Sequence, residues 1–249
     1  MLTAIAVSSC GAATDSGRLP PSITTAPLSV DQVVNNLIHR DIERAQALRH
    51  YESTRVYRLS YRGFLGNRDA EMTVEVTYDG PFSKNFRVVS ESGSKSIIEH
   101  AFTRMLDSEK EASQPEMRAR TLMNRDNYDF ALVGFESSDK GNQYVLAVYP
   151  KTASKYVYRG KVWVDATDFA VTRIDAEPAQ NPSFWTKESR IHHEYMKVQD
   201  FWLPRRNESV SYIRLGGRAT LTIEYDNYRA IESHLSDNAG NPSNSVNAR

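Results

Sequence analysis

The sequence predicts an α+β fold that is mainly β: an antiparallel sheet of about ten strands, covered on one side by two amphipathic helices. Three observations predict it. Apolar residues recur at helical spacing in two stretches, residues 29 to about 50 and residues 96 to about 106. Elsewhere apolar and polar residues alternate, which is typical of strands with one buried face. Clusters of Gly, Asn, Asp and Pro separate these segments, as turns do.

Capping signals mark the start of both helices. Ser29 and Gln32 form a capping box, in which each side chain accepts a hydrogen bond from the backbone N–H of the other residue. Ser96 and Glu99 give the same signal for the second helix. Each helix has one apolar face, which we expect to cover the sheet through Val34, Leu37, Ile38, Ile98, Phe102 and Met105.

Alternating segments precede and follow the second helix. Three come before it, at residues 55–64, 70–80 and 85–92. Those after it lie at residues 128–137, 143–151, 155–165, 170–178, 190–204, 206–215 and 218–231. Because side chains alternate between the two faces of a strand, this pattern predicts a sheet with one dry face and one wet face.

The hairpin at residues 160–178 illustrates the pattern. A three-residue loop at 166–168 would pair Val164 with Ala170 and Val162 with Thr172, which gathers the apolar side chains on one face. The two helices are the only segments available to cover that face, and two short helices do not easily cover ten strands. Either an apolar hollow remains on the dry face, or the sheet curls onto itself.

Composition and charge exclude several classes of protein. The chain has 249 residues, with 31 Lys and Arg against 31 Asp and Glu, so no net field attracts nucleic acid. Its single cysteine, Cys10, permits no intramolecular disulfide and no cysteine-based zinc site. The chain contains 13 Tyr, whose rings suit half-buried strands and partly wet cavities.

Three later segments carry a resemblance to a known family. They read GKVWVDATDFAVTRIDAEP, KVQDFWLPRRNESVSYI and TIEYDNYR, and they follow the order helix, strands, helix, long antiparallel run. This arrangement, from Ser29 to Ala230, resembles the lipoprotein carriers of bacterial envelopes, the LolA/LolB-like family. The resemblance implies an incomplete β-barrel whose mouth is plugged by helices and which holds lipoprotein acyl chains. It implies no metal, no cofactor and no catalysis. No arginine of this chain is assigned to the family's functional arginine.

The resemblance also implies an apolar cavity that binds lipid or lipoprotein acyl chains. Its candidate wall comprises Tyr57, Leu59, Met72, Val74, Leu132, Val162, Val164 and Ile174. The same side chains would equally suit an ordinary closed core, because cavities and cores use the same residue types. The expected location is the periplasm or the outer membrane, where a protein of the envelope is a further possible partner.

The N-terminus resembles a lipid-attachment signal. Residues 7–10, Val-Ser-Ser-Cys, resemble a bacterial lipobox, in which Cys10 would receive the lipid and associate the protein with a membrane. The preceding stretch lacks a basic n-region and its apolar core is short, so the alternative is an unstructured start with a chance cysteine. We therefore expect an export segment and flexible tether at 1–28, one domain at 29–232 and a disordered tail at 233–249.

Two other functions remain open from the sequence. The same shell occurs in periplasmic signalling modules, although such a module would be expected to bring a further C-terminal domain. A hydrolase that uses Asp or His on the concave face is the third interpretation, but no G-x-S-x-G or nucleotide-binding motif is present. His192 and Glu194 share one face of a strand, and two ligands are too few for a metal site.

Overall fold

The computed structural model describes residues 22–24, 27–64, 66–80, 83–138, 141–181, 183–184, 186–214 and 216–233. Its helical elements are α1 (Val30–Ala47), α2 (Lys95–Ile97), a π-helical turn (Ile98–Phe102), α3 (Thr103–Ser113) and α4 (Pro115–Thr121). Its strands are β1 (Ser22–Thr24), β2 (Leu48–Arg62), β3 (Arg68–Asp79), β4 (Ser83–Gly93), β5 (Tyr128–Ser138), β6 (Gly141–Pro150), β7 (Tyr158–Asp165), β8 (Val171–Pro178), β9 (Thr186–Val198), β10 (Phe201–Ile213) and β11 (Arg218–Ser233).

All eleven strands belong to one antiparallel sheet with the order β1-β5-β6-β7-β8-β9-β10-β11-β2-β3-β4. Strands β5 to β11 follow each other as a meander, and β11 then pairs with β2. The first and last strands of this order, β1 and β4, do not pair, so the sheet stays open. The predicted fold class is confirmed: the protein is mainly β, with an open, curved antiparallel sheet and helices.

Helix α1 begins as the sequence predicts. Its N-cap Ser29 accepts a hydrogen bond from the Gln32 backbone N–H, and the Gln32 side chain accepts one from the Ser29 N–H. The buried face of α1, including Val33, Val34 and Leu37, packs on a first cluster of side chains from β5 to β8. The helix ends at Ala47 rather than near His50, because the following residue is already extended and pairs with the end of β11.

The second helical layer, α2 to α3, packs on the other end of the sheet. Ile97 and Phe102 contact a second cluster that includes Tyr57, Met72 and Val74 from β2 and β3. The predicted capping box at Ser96 and Glu99 is wrong: the N-cap is Ser94, which makes no side-chain capping bond. No helix among the residues that the structure describes is long and apolar enough to cross a membrane.

Two predicted strand boundaries are corrected by the structure. Residues 190–204 are not one strand, because a turn at Gln199 and Asp200 separates β9 from β10. Gln199 has a φ of 54°, the left-handed conformation that such a tight turn uses. The predicted boundary between residues 204 and 206 is also wrong, because Pro204 lies within β10. The pairing of β10 with β9 shifts register between Pro204 and Arg206. Such an irregularity accommodates a residue that has no N–H to donate.

The hairpin at residues 160–178 has a longer loop than predicted. Val162 pairs with Ile174 and Val164 with Val171, with a bulge between Trp163 and Val164. The side chain of Asp165 accepts hydrogen bonds from two backbone N–H groups in the loop, which stabilises this wider turn. The partner of Val162 is Ile174 instead of the predicted Thr172. Because these two residues are two positions apart on β8, the apolar side chains keep their predicted face.

The predicted terminal segments fall mostly outside the described residues. Cys10 and the rest of residues 1–21 lie there, as do residues 234–249 of the predicted tail. Within the segment predicted as a tether, Ser22–Thr24 forms β1 and pairs with Ser137, Glu136 and Phe135 of β5. A strand edge next to an apolar layer offers backbone hydrogen bonds that a composition-based interpretation cannot foresee.

Candidate functional site

An inner cavity lies on the face of the sheet that carries the helices. Its volume is about 450 Å³. Tyr158 and Ile191 on its wall belong to the margin of the first cluster, under α1. Leu59, Met105 and Leu221 belong to the margin of the second cluster, under α2 and α3. The cavity is therefore the space that the two helical layers leave uncovered between them.

Most of the cavity wall is apolar, and two of its hydroxyl groups are paired. Strands β9, β10, β11 and β2 form its floor, and α3 and the segment before β7 form its sides; the lining residues are Leu59, Met105, Lys155, Tyr156, Val157, Tyr158, Pro178, Ser189, Ile191, His193, Ser209, Ser211, Ala219 and Leu221. The hydroxyls of Ser189 and Ser211 hydrogen-bond each other at 2.9 Å. A hydrocarbon chain in the cavity would therefore not strip these two hydroxyls of a partner.

His193 is the titratable side chain of β9 that faces the cavity. Burial, with a smaller contribution from the neighbouring His192, lowers its pKa to about 4. The ring is therefore uncharged at neutral pH. His192 and Glu194 lie on the opposite face, where Nε2 of His192 is 3.4 Å from a carboxylate oxygen of Glu194 and its Nδ1 contacts Asp175. Among the described residues, no group of three His, Cys, Asp or Glu side chains is arranged to hold a metal ion.

The depressed pKa of His193 should make folding stability pH-dependent. An unfolded His titrates near pH 6.5 and the folded one near pH 4, so the unfolded state binds more protons in between. Stability from the neutral ring is complete above about pH 6.5 and is lost as the pH falls towards 4. We expect His193→Gln to reduce the slope of unfolding free energy against pH in this window by up to one proton. Urea titrations from pH 4 to 7.5 measure this slope, with the exposed His39→Gln as the control. A slope in His193→Gln equal to that of the control would contradict the prediction.

A partly buried ion cluster joins the second helical layer to the sheet. Arg55 of β2 is 2% exposed, and its Nη1 donates to both carboxylate oxygens of Glu109 in α3 at 2.8 Å. Nζ of Lys84 in β4 donates to the same carboxylate at 3.0 Å. The guanidinium carbon of Arg55 lies 4.8 Å from the centre of the Tyr225 ring. Burial opposes ionisation of Glu109, but Arg55 and Lys84 outweigh it and lower its pKa. We call these residues the Arg55–Glu109 latch.

The latch borders a second cavity. A space of about 390 Å³ lies between α1 and α3, and both Lys84 and Glu109 line it. Sequence reasoning did not single out Arg55, although its position could have revealed it. Arg55 is two residues from Tyr57, on the strand face that was predicted to be dry. A charged residue at an inward position of an otherwise alternating strand is the signal, because such a charge requires a buried partner.

The eight predicted wall residues fall into two groups in the structure. Leu132, Val162, Val164 and Ile174 belong to the first cluster, whereas Tyr57, Leu59, Met72 and Val74 belong to the second. Leu59 also lines the inner cavity. Ile174 lines a smaller cavity of about 280 Å³ beside Trp202. The structure therefore does not bring the eight together around one space.

The predicted lid residues divide in the same way. Val34, Leu37 and Ile38 pack on the first cluster, and Ile98, Phe102 and Met105 pack on the second. Only Met105 of this set is on the wall of the inner cavity. Sequence reasoning missed Ile191 and Leu221. Ile191 and His193 are two residues apart, so their side chains lie on the same face of the strand. The signal for Ile191 was therefore its position on the inward face of residues 190–204, opposite to the face of His192 and Glu194.

No family model and no curated protein matches the chain. Solved structures do resemble it. A DUF1329 family protein from Desulfovibrio piger is 17% identical, with 80% of this chain and 92% of that chain covered and a TM-score of 0.41. A putative outer membrane lipoprotein-sorting protein domain from Vibrio parahaemolyticus is 11% identical, with coverage of 84% and 95% and a TM-score of 0.42. A LolA superfamily protein from Nitrosomonas europaea is 10% identical, with coverage of 81% and 93% and a TM-score of 0.35.

Two of these three proteins bear names from the family that the sequence segments resemble. At identities of 10% to 17% and TM-scores of 0.35 to 0.42, the function of this chain has to be inferred from its own cavity.

Proposed function

We propose that this protein binds a lipid acyl chain, free or carried by a lipoprotein, in the inner cavity and does so without catalysis. The observation that carries the proposal is the cavity itself: about 450 Å³ of mainly apolar space between two well-packed side-chain clusters. That volume is typical of small-molecule sites, which span ~300–1,000 Å³. Transfer of an alkyl chain from water contributes ~0.8 kcal/mol per CH₂, so a partial chain already gives a useful affinity.

The wall suits a ligand that must also leave. Met105 has a flexible, unbranched thioether side chain that can repack around chains of different length, and Leu59 adds apolar surface beside it. The uncharged His193 and the paired hydroxyls of Ser189 and Ser211 place no buried charge against the hydrocarbon. Such a site retains an acyl chain mainly through the area it buries, which favours exchange over permanent capture.

We also propose that the protein works in the bacterial envelope, in the periplasm or at the outer membrane. The support is the lipobox-like sequence at residues 7–10, in which Cys10 would carry a membrane anchor. Mass spectrometry of the protein from membrane and soluble fractions would detect the added lipid on Cys10, and Cys10→Ser should abolish membrane association. A Cys10→Ser protein that still sediments with membranes would argue against the anchor.

Filling the cavity tests the binding proposal. Ala219 of β11 lines the cavity, and the adjacent Thr220 points to the opposite face of the strand. We expect Ala219→Phe to weaken the binding of a fluorescent fatty acid at least tenfold, because the ring occupies the space of several methylene groups. The matched control Thr220→Phe should bind like the unchanged protein.

Two readouts decide the outcome. Fluorescence titration gives Kd for both variants, and native mass spectrometry of gently purified protein detects lipid that co-purifies. A thermal unfolding curve confirms that each variant is folded. Equal fatty-acid affinity in Ala219→Phe and Thr220→Phe would contradict the proposal. A lipid-free protein that also ignores fatty acids would instead favour the interaction-module hypothesis.

A further inference from the structure

Strands β8 and β9 are paired over a short distance. Their ladder runs from Arg173 opposite Glu194 to Ala176 opposite Ile191. Both strands continue beyond it, since β8 reaches Pro178 and β9 begins at Thr186. In those extensions β8 pairs only with β7, and β9 pairs only with β10. The sheet therefore opens into a slit between β8 and β9.

The slit has a local cause in the sequence. If the register continued, Glu177 would face Arg190 and Pro178 would face Ser189. Pro178 has no N–H and cannot donate to the ladder, which disfavours pairing at this position. An outer cleft of about 390 Å³ occupies the separation and is lined from both strands, by Glu177 and Pro178 on one side and by Lys187, Glu188 and Ser189 on the other.

The slit lies between the outer cleft and the inner cavity. Pro178 and Ser189 line both spaces, so the wall between the two is thin where the strands separate. Ile191, at the last residue pair before the slit, also lines both the inner cavity and a larger groove of about 650 Å³ on the outer face. Ser189 is 4% exposed and hydrogen-bonds Ser211, so passage at this point requires the displacement of a small side chain and not of a bulky group.

Charged and apolar residues are separated along the slit. The part of the slit next to the last β8–β9 residue pair, which we call the throat, is lined by Pro178, Ile191 and Ala176. The outer edge of the slit, which we call the rim, carries both cations and carboxylates. Two rim ion pairs stay on one side each: Arg159 is 3.8 Å from Glu177 on the β7–β8 side, and Arg190 is 2.9 Å from Glu188 on β9. These two ion pairs therefore do not join the two sides of the slit. The two sides are joined by the Asn181 side chain, which follows β8 and donates a hydrogen bond to the Lys187 carbonyl of β9 at 3.3 Å. An apolar throat inside a polar rim is suited to a ligand with one alkyl chain and a polar head group.

We propose that an acyl chain enters and leaves the inner cavity sideways, through the slit between β8 and β9, while its polar head stays at the outer rim. This inference rests on the proposed function, because it concerns the route to the same cavity. It has the consequence that the ligand need not displace α1 or α3. The Arg55–Glu109 latch can then stay closed throughout binding.

Bridging the slit tests the route. In a Cys10→Ser background, Glu177→Cys with Arg190→Cys places one thiol on each side, and a bis-maleimide joins them. The matched control joins Ala147→Cys to Lys161→Cys, which are direct partners on β6 and β7 and line the outer face. Stopped-flow fluorescence with a fatty acid then gives association and dissociation rates. We expect the bridged slit to slow both rates at least tenfold, and the bridged control pair to leave them unchanged.

The outcomes separate the route from the proposed function. Unchanged rates in a slit that mass spectrometry shows to be bridged would overturn the route. Absence of binding in the unbridged variant would overturn the proposed function, and the route with it. A second measurement uses a fatty acid with a diazirine next to its carboxyl group. Photolabelling at residues 176–178 and 189–191 supports the route, whereas labelling near Lys84 and Glu109, between α1 and α3, overturns it.

Discussion

Replacing Glu109 with Ala is expected to lower the free energy of unfolding by about 3–5 kcal/mol, the usual cost of removing one partner of a buried ion pair. Arg55 is 2% exposed and keeps its charge, so the variant would leave a guanidinium buried without its carboxylate. Lys84, which shares that carboxylate, adds a second unneutralised cation nearby. Urea denaturation at neutral pH measures the loss.

Two further variants separate the latch from the loss of a helix residue. Asp107→Ala removes an exposed carboxylate from the same helix, and we expect a change within ~0.5 kcal/mol. The triple variant Arg55→Met, Lys84→Met and Glu109→Met removes all three charges, and most of the lost stability should return because no ion of the cluster remains without a partner. A Glu109→Ala protein as stable as Asp107→Ala would show that the latch does not stabilise the fold.

Replacing Leu37 with Ala is expected to lower the free energy of unfolding by about 2–5 kcal/mol, as for other buried leucines. Leu37 is fully buried in α1 and packs on the first cluster, where its loss leaves a cavity that rigid strands cannot refill. The control is Ile42→Ala on the same helix, because Ile42 is 51% exposed. Urea denaturation with circular dichroism should show a change within ~0.5 kcal/mol for this control.

The comparison of these two variants reports on how α1 is held. Equal effects of Leu37→Ala and Ile42→Ala would contradict the prediction, because they would mean that the packing of Leu37 on the sheet does not contribute to stability. A large effect of Leu37→Ala alone would mean that α1 is a fixed cover of the first cluster.

Local patterns in the sequence were sufficient for the element types and for their faces. The Ser29 capping box forms as predicted, and the alternation in β3 places Met72 and Val74 on the buried face. These features depend on contacts within one turn or on the two-residue period of a strand, so a single segment contains the information. The hairpin at 160–178 kept its faces for the same reason, even though its loop was longer.

The position of the cavity could not be predicted in this way. It depends on which strands lie beneath each helix, and therefore on pairings between distant segments. Tyr57 and Val162 have equally apolar, inward positions in the sequence, yet each packs beneath a different helical layer. Ile191 and Leu221 line the cavity because β9 and β11 lie between those layers in the sheet order. No short-range pattern distinguishes these two situations.

The pairing of β11 with β2 has a consequence for how the chain reaches this fold. Every other ladder except that of β1 with β5 joins strands that are neighbours in the sequence, whereas this one joins residue 62 to residue 218 and encloses more than half of the chain. Closing so long a loop costs conformational entropy before its contacts form, and such non-local pairing slows folding. We therefore expect the meander of β5 to β11 and the β2–β4 hairpins to form first, and their docking to be the late, rate-limiting event.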